Sequence, residues 1–342
     1  MKFLDKRVLR LVLICSLLMT SQNIYSQWYG KEFEDVYKVE SEKQLNGLVL
    51  EGEVEIDFNS DGDLYVLDAK QGLITVYDQD MQLKFTFGGK GNEPGKFEKA
   101  SDIHIDDNDQ VYISDPYLER VSIFSKNGVF KRSVAILNQA VDLIIVNEML
   151  CTHTGGAIAK DGNSVQCYDV NTGKPAHTLF KKSKVIENVP FGFSNISFAV
   201  IQKSENKIII LKHPFDPAIQ VFNDEGVLVN EFRINNEIYS VPKFPEKFDV
   251  FRHLPTMYAK YLAHGFYVFQ DRIVIIFVDT KTGKKYMDVY NLGGERQIEK
   301  VIHIQNRFPI YGDKNGSLYA IQYASKDKKK VNLKKYSLHK MP

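Results

Sequence analysis

The chain has 342 residues, of which 44% are hydrophobic and 25% charged, as in an ordinary globular protein. The formal net charge is +1, so bulk electrostatics give no reason to expect nucleic-acid binding. The densest run of charge, Lys326–Lys335, is typical of a solvated edge strand, where lysines discourage unwanted strand pairing.

The first 26 residues have the three parts of a secretory signal peptide. A basic start is followed by an apolar run, Leu11–Met19, and then by a polar stretch that ends at Ser26. That run is far shorter than the roughly 20 residues needed to span a bilayer, and no later stretch is long and apolar enough to do so. We therefore predict an exported protein, periplasmic or secreted, with residues 1–26 removed and residues 27–342 forming a single domain.

Internal repetition determines the predicted fold. Gly62-Asp-Leu-Tyr-Val-Leu-Asp68 aligns with Asp109-Gln-Val-Tyr-Ile-Ser-Asp115 at an offset of 47 residues. The same offset carries Ile74-Thr-Val-Tyr-Asp78 onto Val121-Ser-Ile-Phe-Ser125. Short strands separated by Gly, Asn and Asp turns at this spacing are typical of four-stranded propeller blades.

One column of the repeat recurs six times. The third strand of each unit ends in an aromatic residue that usually follows an apolar one, and these aromatics are Tyr77, Phe124, Tyr168, Phe222, Tyr290 and Tyr336. The last unit, about 307–338, supplies only three strands. We predict that an N-terminal strand at Glu34–Glu40 completes it and so protects edges that an open ring would expose.

These residues carry a family resemblance. Residues 53–135 resemble NHL repeats, and Phe87-Gly-Gly-Lys-Gly-Asn-Glu-Pro-Gly-Lys-Phe97 is similar to the linker that joins such repeats. The whole chain resembles exported six-bladed propeller proteins of Bacteroidetes-type bacteria. The resemblance implies an all-β fold, a six-bladed β-propeller, but fold analogy says little about chemistry.

Two cysteines lie in equivalent columns of the third unit. Val66 and Val76 are symmetric about a turn in the first unit, and Cys151 and Cys167 hold the same places in the third. An exported protein permits a disulfide between such neighbours. A pair of small buried hydrophobic residues explains the pattern equally well.

A second column ends each second strand with a polar residue: Asp68, Asp115, His153, His213, Asp279 and Gln322. Neighbouring packed sheets stand roughly 10 Å apart, too far for these residues to share one metal ion. We expect them to accept hydrogen bonds from the turns that follow.

The innermost strands suggest a different site. Glu55 and Asp102 are equivalent by alignment, Asp142 joins them, and Asp57 and His104 follow two residues later on the same face. Carboxylates that line a propeller channel could bind calcium, as in propeller lactonases and esterases. The chain lacks the Glu/Asn/Asn/Asp set of those enzymes, so a solvated polar channel is the competing interpretation.

An insertion at about 235–265 interrupts the repeat, since Phe222 and Tyr290 are 68 residues apart. Long loops on a rigid scaffold commonly carry binding, although a cap packed on the propeller would have the same composition. With the neighbouring loops, the insertion supplies the predicted binding residues Tyr117, His213, Asp216, Tyr239, Phe251, Arg252, His253 and Tyr258.

No hydrolase signature occurs in the chain. We therefore expect a non-enzymatic module without a cofactor, which binds a peptide, a glycan or an envelope protein through one loop face. The alternative is a calcium-dependent hydrolase or lyase that uses Glu55, Asp102 and Asp142.

Overall fold

The computed structural model describes residues 37–136, 139–154, 163–181, 200–211, 218–234, 263–269, 272–279, 284–298, 310–312, 317–323 and 330–338. Every regular element among them is a β-strand, and the strands form six antiparallel four-stranded sheets arranged as a β-propeller. No helix in this part of the chain could cross a membrane. The predicted all-β, six-bladed architecture is confirmed. The signal peptide lies outside the described residues.

The first three blades follow in chain order. Blade 1 contains β2 (Val54–Phe58), β3 (Leu64–Asp68), β4 (Leu73–Tyr77) and β5 (Leu83–Gly88). Blade 2 contains β6 (Ile103–Ile105), β7 (Val111–Asp115), β8 (Arg120–Phe124) and β9 (Phe130–Ala135). Blade 3 contains β10 (Ala140–Val146), β11 (Met149–Thr154), β12 (Asn163–Asp169) and β13 (Pro175–Lys181).

The last three blades complete the ring. Blade 4 contains β14 (Val200–Ser204), β15 (Lys207–Leu211), β16 (Ala218–Asn223) and β17 (Leu228–Arg233). Blade 5 contains β18 (Ala263–Phe269), β19 (Arg272–Asp279), β20 (Lys284–Asn291) and β21 (Arg296–Ile298). Blade 6 contains β22 (Ile310–Gly312), β23 (Leu318–Tyr323), β24 (Val331–Leu338) and, as its outermost strand, β1 (Tyr37–Gln44).

The ring closes as the sequence predicts, with shifted bounds. Within the described residues the N-terminal strand runs from Tyr37 to Gln44, four residues past the predicted end at Glu40, and it pairs antiparallel with β24. The first predicted residues, 34–36, lie outside the described part of the chain. Lys335 donates to Glu40 across this pair at 2.8 Å. The first and last described strands therefore belong to one blade.

Most of the predicted insertion at about 235–265 lies outside the described residues, and the next described strand, β18, begins at Ala263.

The core lies between adjacent blades. The second strand of blade 1 is buried on both faces because neighbouring sheets cover it, whereas the residues of the outermost strand β5 are exposed or half-buried. The predicted aromatic column is buried in every blade, with exposures of 0–6% for Tyr77, Phe124, Tyr168, Phe222, Tyr290 and Tyr336. Phe97, at the end of the linker, is fully buried between blades 1 and 2. Burial of one such side chain contributes roughly 1.5–3 kcal/mol.

A disulfide joins Cys151 and Cys167 in the middle of blade 3. The two residues are direct cross-strand partners with Cα atoms 3.9 Å apart, and both are fully buried. The predicted column is wrong in one respect, because Val66 pairs with Thr75 and not with Val76. The register of a hairpin depends on the turn that joins its strands, and the β11–β12 connection is longer than the β3–β4 turn. The pairing register of the second and third strands therefore differs by one residue between the two blades.

Candidate binding face and polar channel

The loop face is the end of the propeller that carries the fourth-to-first linkers and the second-to-third turns. Of the predicted binding residues, the structure places Tyr117 on this face, in the turn between β7 and β8. The other predicted binding residues lie outside the described part of the chain: His213, Asp216, Tyr239, Phe251, Arg252, His253 and Tyr258.

Tyr117 is presented by a fixed turn. Its side chain is 69% exposed. Among the exposed large hydrophobic side chains of the described residues, this is the highest value, and the others are all valine or leucine. The Oδ1 atom of Asp115 accepts hydrogen bonds from the backbone N–H groups of Tyr117 and Leu118, both at 3.1 Å. The preceding Pro116 is buried. The backbone of the turn is thus anchored by a buried carboxylate while the ring is exposed.

The same aspartate also holds the linker from blade 1. Its Oδ2 atom accepts the backbone N–H of Glu98 at 2.8 Å. Arg120, at the far end of the turn, donates from Nη2 to the carbonyl oxygens of Glu93 and Lys96 at 3.1 and 2.8 Å. Turn and linker are therefore joined from both ends of the turn.

Blade 1 repeats this arrangement with Asp68. Its Oδ1 accepts from the backbone N–H groups of Lys70 and Gln71 at 2.9 and 3.0 Å, and its Oδ2 accepts from Glu51 at 2.5 Å. For Asp68 and Asp115 the predicted bonds to the following turn are confirmed. The bonds of the second oxygen to the linker are a feature that the sequence analysis missed.

The channel contains the predicted carboxylates. Glu55 lies in β2, Asp102 directly precedes β6, and Asp142 lies near the start of β10, so all three occupy the loop-face half of the innermost strands. Both oxygens of Asp102 are engaged: Oδ1 accepts from Ile103 at 2.8 Å, and Oδ2 accepts from Leu143 of the next blade at 2.7 Å. Asp102 therefore links the inner strands of blades 2 and 3.

Burial and mutual repulsion shift the titration of these groups. Burial, followed by the charges of Asp102 and Asp142, raises the pKa of Glu55 well above its usual range. Burial and the charge of Asp142 raise the pKa of Asp102, although its two backbone hydrogen bonds oppose this. Burial raises the pKa of Asp142 to about 7. Three acids in one channel thus resist full ionisation near neutral pH.

Histidines lie beside two of the channel carboxylates. The His153 Nδ1 atom lies 3.8 Å from Oδ2 of Asp142, and burial lowers the pKa of His153 to about 3. The His104 Nδ1 atom lies 3.6 Å from Oδ2 of Asp57, and burial together with Lys203 lowers the pKa of His104 to about 3. Both imidazoles are therefore neutral at pH 7 and do not offset the carboxylate charge.

The described residues contain no ready-made cluster of metal ligands. No three His, Cys, Asp or Glu side chains within them are arranged to hold one ion. Each oxygen of Asp102 already accepts one backbone hydrogen bond, so a calcium ion would have to use the remaining lone pairs of this carboxylate. Calcium binding by Glu55, Asp102 and Asp142 stays a prediction.

Asp142 provides a pH-dependence prediction. A carboxyl whose pKa is higher in the folded than in the unfolded state stabilises the protein below the unfolded value, about 3.9, and loses that contribution as pH rises. The loss for Asp142 is therefore expected between about pH 4 and its folded pKa of about 7. We expect Asp142→Asn to gain stability relative to the wild type across this interval, because the amide carries no charge to bury.

Urea unfolding at pH 4, 6 and 8 measures the difference between the two proteins. Asp80→Asn is the matched control, since the side chain of Asp80 is 89% exposed. A difference between Asp142→Asn and the wild type that does not change with pH would contradict the burial of this carboxyl.

An ion pair at the opposite end of the channel was not foreseen. Lys203 of β14 donates to Oδ2 of Asp107 at 3.1 Å, so the pair connects blade 4 with the first turn of blade 2. The two residues are 96 positions apart, and neither belongs to a motif, so no local pattern could have indicated the pairing. The carboxylates therefore lie toward one end of the channel, and this cation lies toward the other.

Comparison with known proteins identifies the fold. No protein-family model and no curated protein matches the sequence, so membership of the NHL family stays a prediction. A protein from Bacteroides fragilis described as exported matches with a TM-score of 0.66 and 12% identity over 90% of this chain and 96% of that one. A member of the DUF4221 family from Bacteroides vulgatus matches with a TM-score of 0.59 and 11% identity over 90% and 99%.

Virginiamycin B lyase from Staphylococcus aureus also matches, with a TM-score of 0.54 and 13% identity over 89% of this chain and 100% of the lyase. Identities this low carry no information about activity. What the likenesses show is the fold: the chain is a six-bladed β-propeller similar in structure to two proteins of Bacteroides, one of which is described as exported.

Proposed function

We propose that the protein is an exported binding module that recognises a peptide, a glycan or a partner protein through its loop face. The observation that carries the proposal is Tyr117, a 69% exposed aromatic ring on a turn that Asp115 anchors. Aromatic side chains supply large contact areas with few rotatable bonds, which is why tyrosine is enriched among the residues that dominate binding energy.

The scaffold supports this role. Inter-blade cores on both sides of β7 hold the base of the turn, and function in such folds generally resides in loops that a rigid framework positions. The proposal extends to the predicted residues of the insertion, Phe251, Arg252, His253 and Tyr258, which would lie on the same face by topology. Export is supported by the basic-apolar-polar start of the chain and by the nature of its structural neighbours.

The experiment starts from a screen for ligands. Residues 27–342 are tested on a glycan array and against a displayed peptide library, and binding of the hits is then measured by calorimetry. We expect Tyr117→Ala to raise the dissociation constant at least about tenfold, because truncation of an aromatic anchor commonly costs about 2 kcal/mol or more.

Val129→Ala is the matched control. Val129 is 63% exposed and lies in the turn between β8 and β9, at the opposite end of the same blade. We expect this variant to bind like the wild type. Hits that lose affinity in Val129→Ala but not in Tyr117→Ala would overturn the proposal, as would turnover of a hit by the wild-type protein.

A further inference from the structure

We infer that Asp68 and Asp115 are positioning residues that hold the loop face of blades 1 and 2 in its binding conformation before any ligand arrives. The inference rests on the proposed function, since it concerns how the same face is kept ready. Each carboxylate joins a turn to a linker that lies 16–17 residues earlier in the chain.

The aspartates are themselves immobilised. Asp115 is fully buried and Asp68 is 3% exposed, and each lies at the last position of a second strand whose side chains are all buried. Their backbone atoms are held by pairing with the third strand, Asp68 with Leu73 and Asp115 with Arg120. The two oxygens therefore occupy fixed points from which both segments of the loop face are bonded.

The chemistry of the carboxylate explains the residue type. In blade 2 the turn amides of Tyr117 and Leu118 donate to Oδ1, and the linker amide of Glu98 donates to Oδ2. The N–H of the next linker residue, Lys99, lies 3.3 Å from both oxygens, so the site needs two acceptors on one short side chain. An asparagine offers one acceptor, and its nitrogen would face the N–H of Glu98 as a second donor. A partly buried N–H group that loses its acceptor is less stable, so both segments depend on the aspartate.

The arrangement distinguishes blades 1 and 2 from blade 3. His153 occupies the equivalent position there, beside Asp142 of the channel, and its Nδ1 atom lies 3.8 Å from that carboxylate. An imidazole has no pair of acceptor oxygens. Blades 1 and 2 thus use the two oxygens of one carboxylate at a position where blade 3 has an imidazole.

The consequence for binding is preorganisation. A loop that is already ordered loses little conformational freedom when a ligand binds, so less of the binding free energy is offset by ordering. Tyr117 in blade 2 and Lys70 in blade 1 occupy the same place, two residues after the aspartate. The backbone that carries the ring of Tyr117 is therefore held in one conformation before a ligand binds.

Hydrogen exchange of individual backbone amides tests the inference without any ligand. In Asp115→Asn the remaining carbonyl oxygen still accepts from Tyr117 and Leu118, so these amides keep their protection, whereas exchange at Glu98 accelerates at least about tenfold. In Asp115→Ala all three amides are expected to exchange faster. Asp68→Asn is the matched control, because it should accelerate Glu51 and leave Glu98 unchanged.

If the turn amides keep their protection from exchange in Asp115→Asn but lose it in Asp115→Ala, the aspartate positions the two segments. A general loss of stability would instead lower the protection of all amides in both variants. The inference is overturned if Glu98 stays protected in Asp115→Asn, or if protection falls by the same factor in every blade. With a ligand from the screen, Asp115→Asn is expected to weaken binding about tenfold although Tyr117 is present. Unchanged affinity would overturn the inference alone, whereas unchanged affinity in Tyr117→Ala overturns the proposed function.

Discussion

Removal of the disulfide, in the double variant Cys151→Ala/Cys167→Ala, is expected to lower the free energy of unfolding by about 3 kcal/mol. The bond closes a segment with a sequence separation of 16 residues. A crosslink of this kind stabilises mainly by restricting the unfolded chain, and the effect grows slowly with the length of the closed segment. Urea unfolding of the oxidised wild type and of the variant measures the loss.

Reduction of the wild type is the control that changes no side-chain volume. A reductant should shift the wild-type unfolding midpoint toward that of the variant and leave the variant where it is. Since both sulfurs are fully buried, the shift should appear only after incubation long enough for the protein to open. If free thiols are detected and the midpoint has not moved, the crosslink does not stabilise blade 3.

The architecture was predictable because a propeller repeats one local unit. The column of Asp68 and Asp115 and the column of buried aromatics from Tyr77 to Tyr336 mark where the second and third strands end in the sequence. In blades 1 to 5 each strand pairs with strands that are its neighbours in the chain. Closure was predictable for a related reason, because a last unit of three strands requires a fourth from elsewhere.

Features that depend on contacts between blades were not predictable. The link from Asp115 to Glu98 and the pair formed by Lys203 and Asp107 need the relative placement of distant segments, which no local pattern records. The sequence also left two interpretations of Cys151 and Cys167 open, because a one-residue change of register decides whether two cysteines face each other. For the candidate site, the sequence indicated Tyr117 but not what holds it.

Contacts between blades also explain a set of turn glycines. The third-to-fourth turn of blade 2 contains Gly128 at φ +73°, and a Cβ atom there would lie 2.8 Å from Cγ and Cδ1 of Phe87 in the outermost strand of blade 1. Gly226 and Gly294 meet the preceding blade in the same way, against His177 and Phe232. The absence of a side chain thus lets each turn pack closely on its neighbour.

Blade 1 shows that the conformation alone does not require glycine. Met81 occupies the equivalent turn position at φ 60°, and its side chain is buried in the core shared with blade 6. A non-glycine residue with positive φ lowers the stability of the fold by roughly 1–2 kcal/mol because of backbone strain. The contacts of a buried side chain can offset this loss. At Gly128 no such compensation is available, because Phe87 already fills the space.

Gly128→Ala is therefore expected to lower the free energy of unfolding by about 2–4 kcal/mol, the sum of backbone strain and overpacking against Phe87. Gly47→Ala is the matched control, since its φ is +77° but the nearest atom to the added Cβ, Cδ2 of Leu83, is 3.9 Å away. The control should lose only the backbone contribution, about 1 kcal/mol. Urea unfolding compares the two variants, and equal losses would show that the turn of blade 2 does not pack against Phe87 as closely as the structure places it.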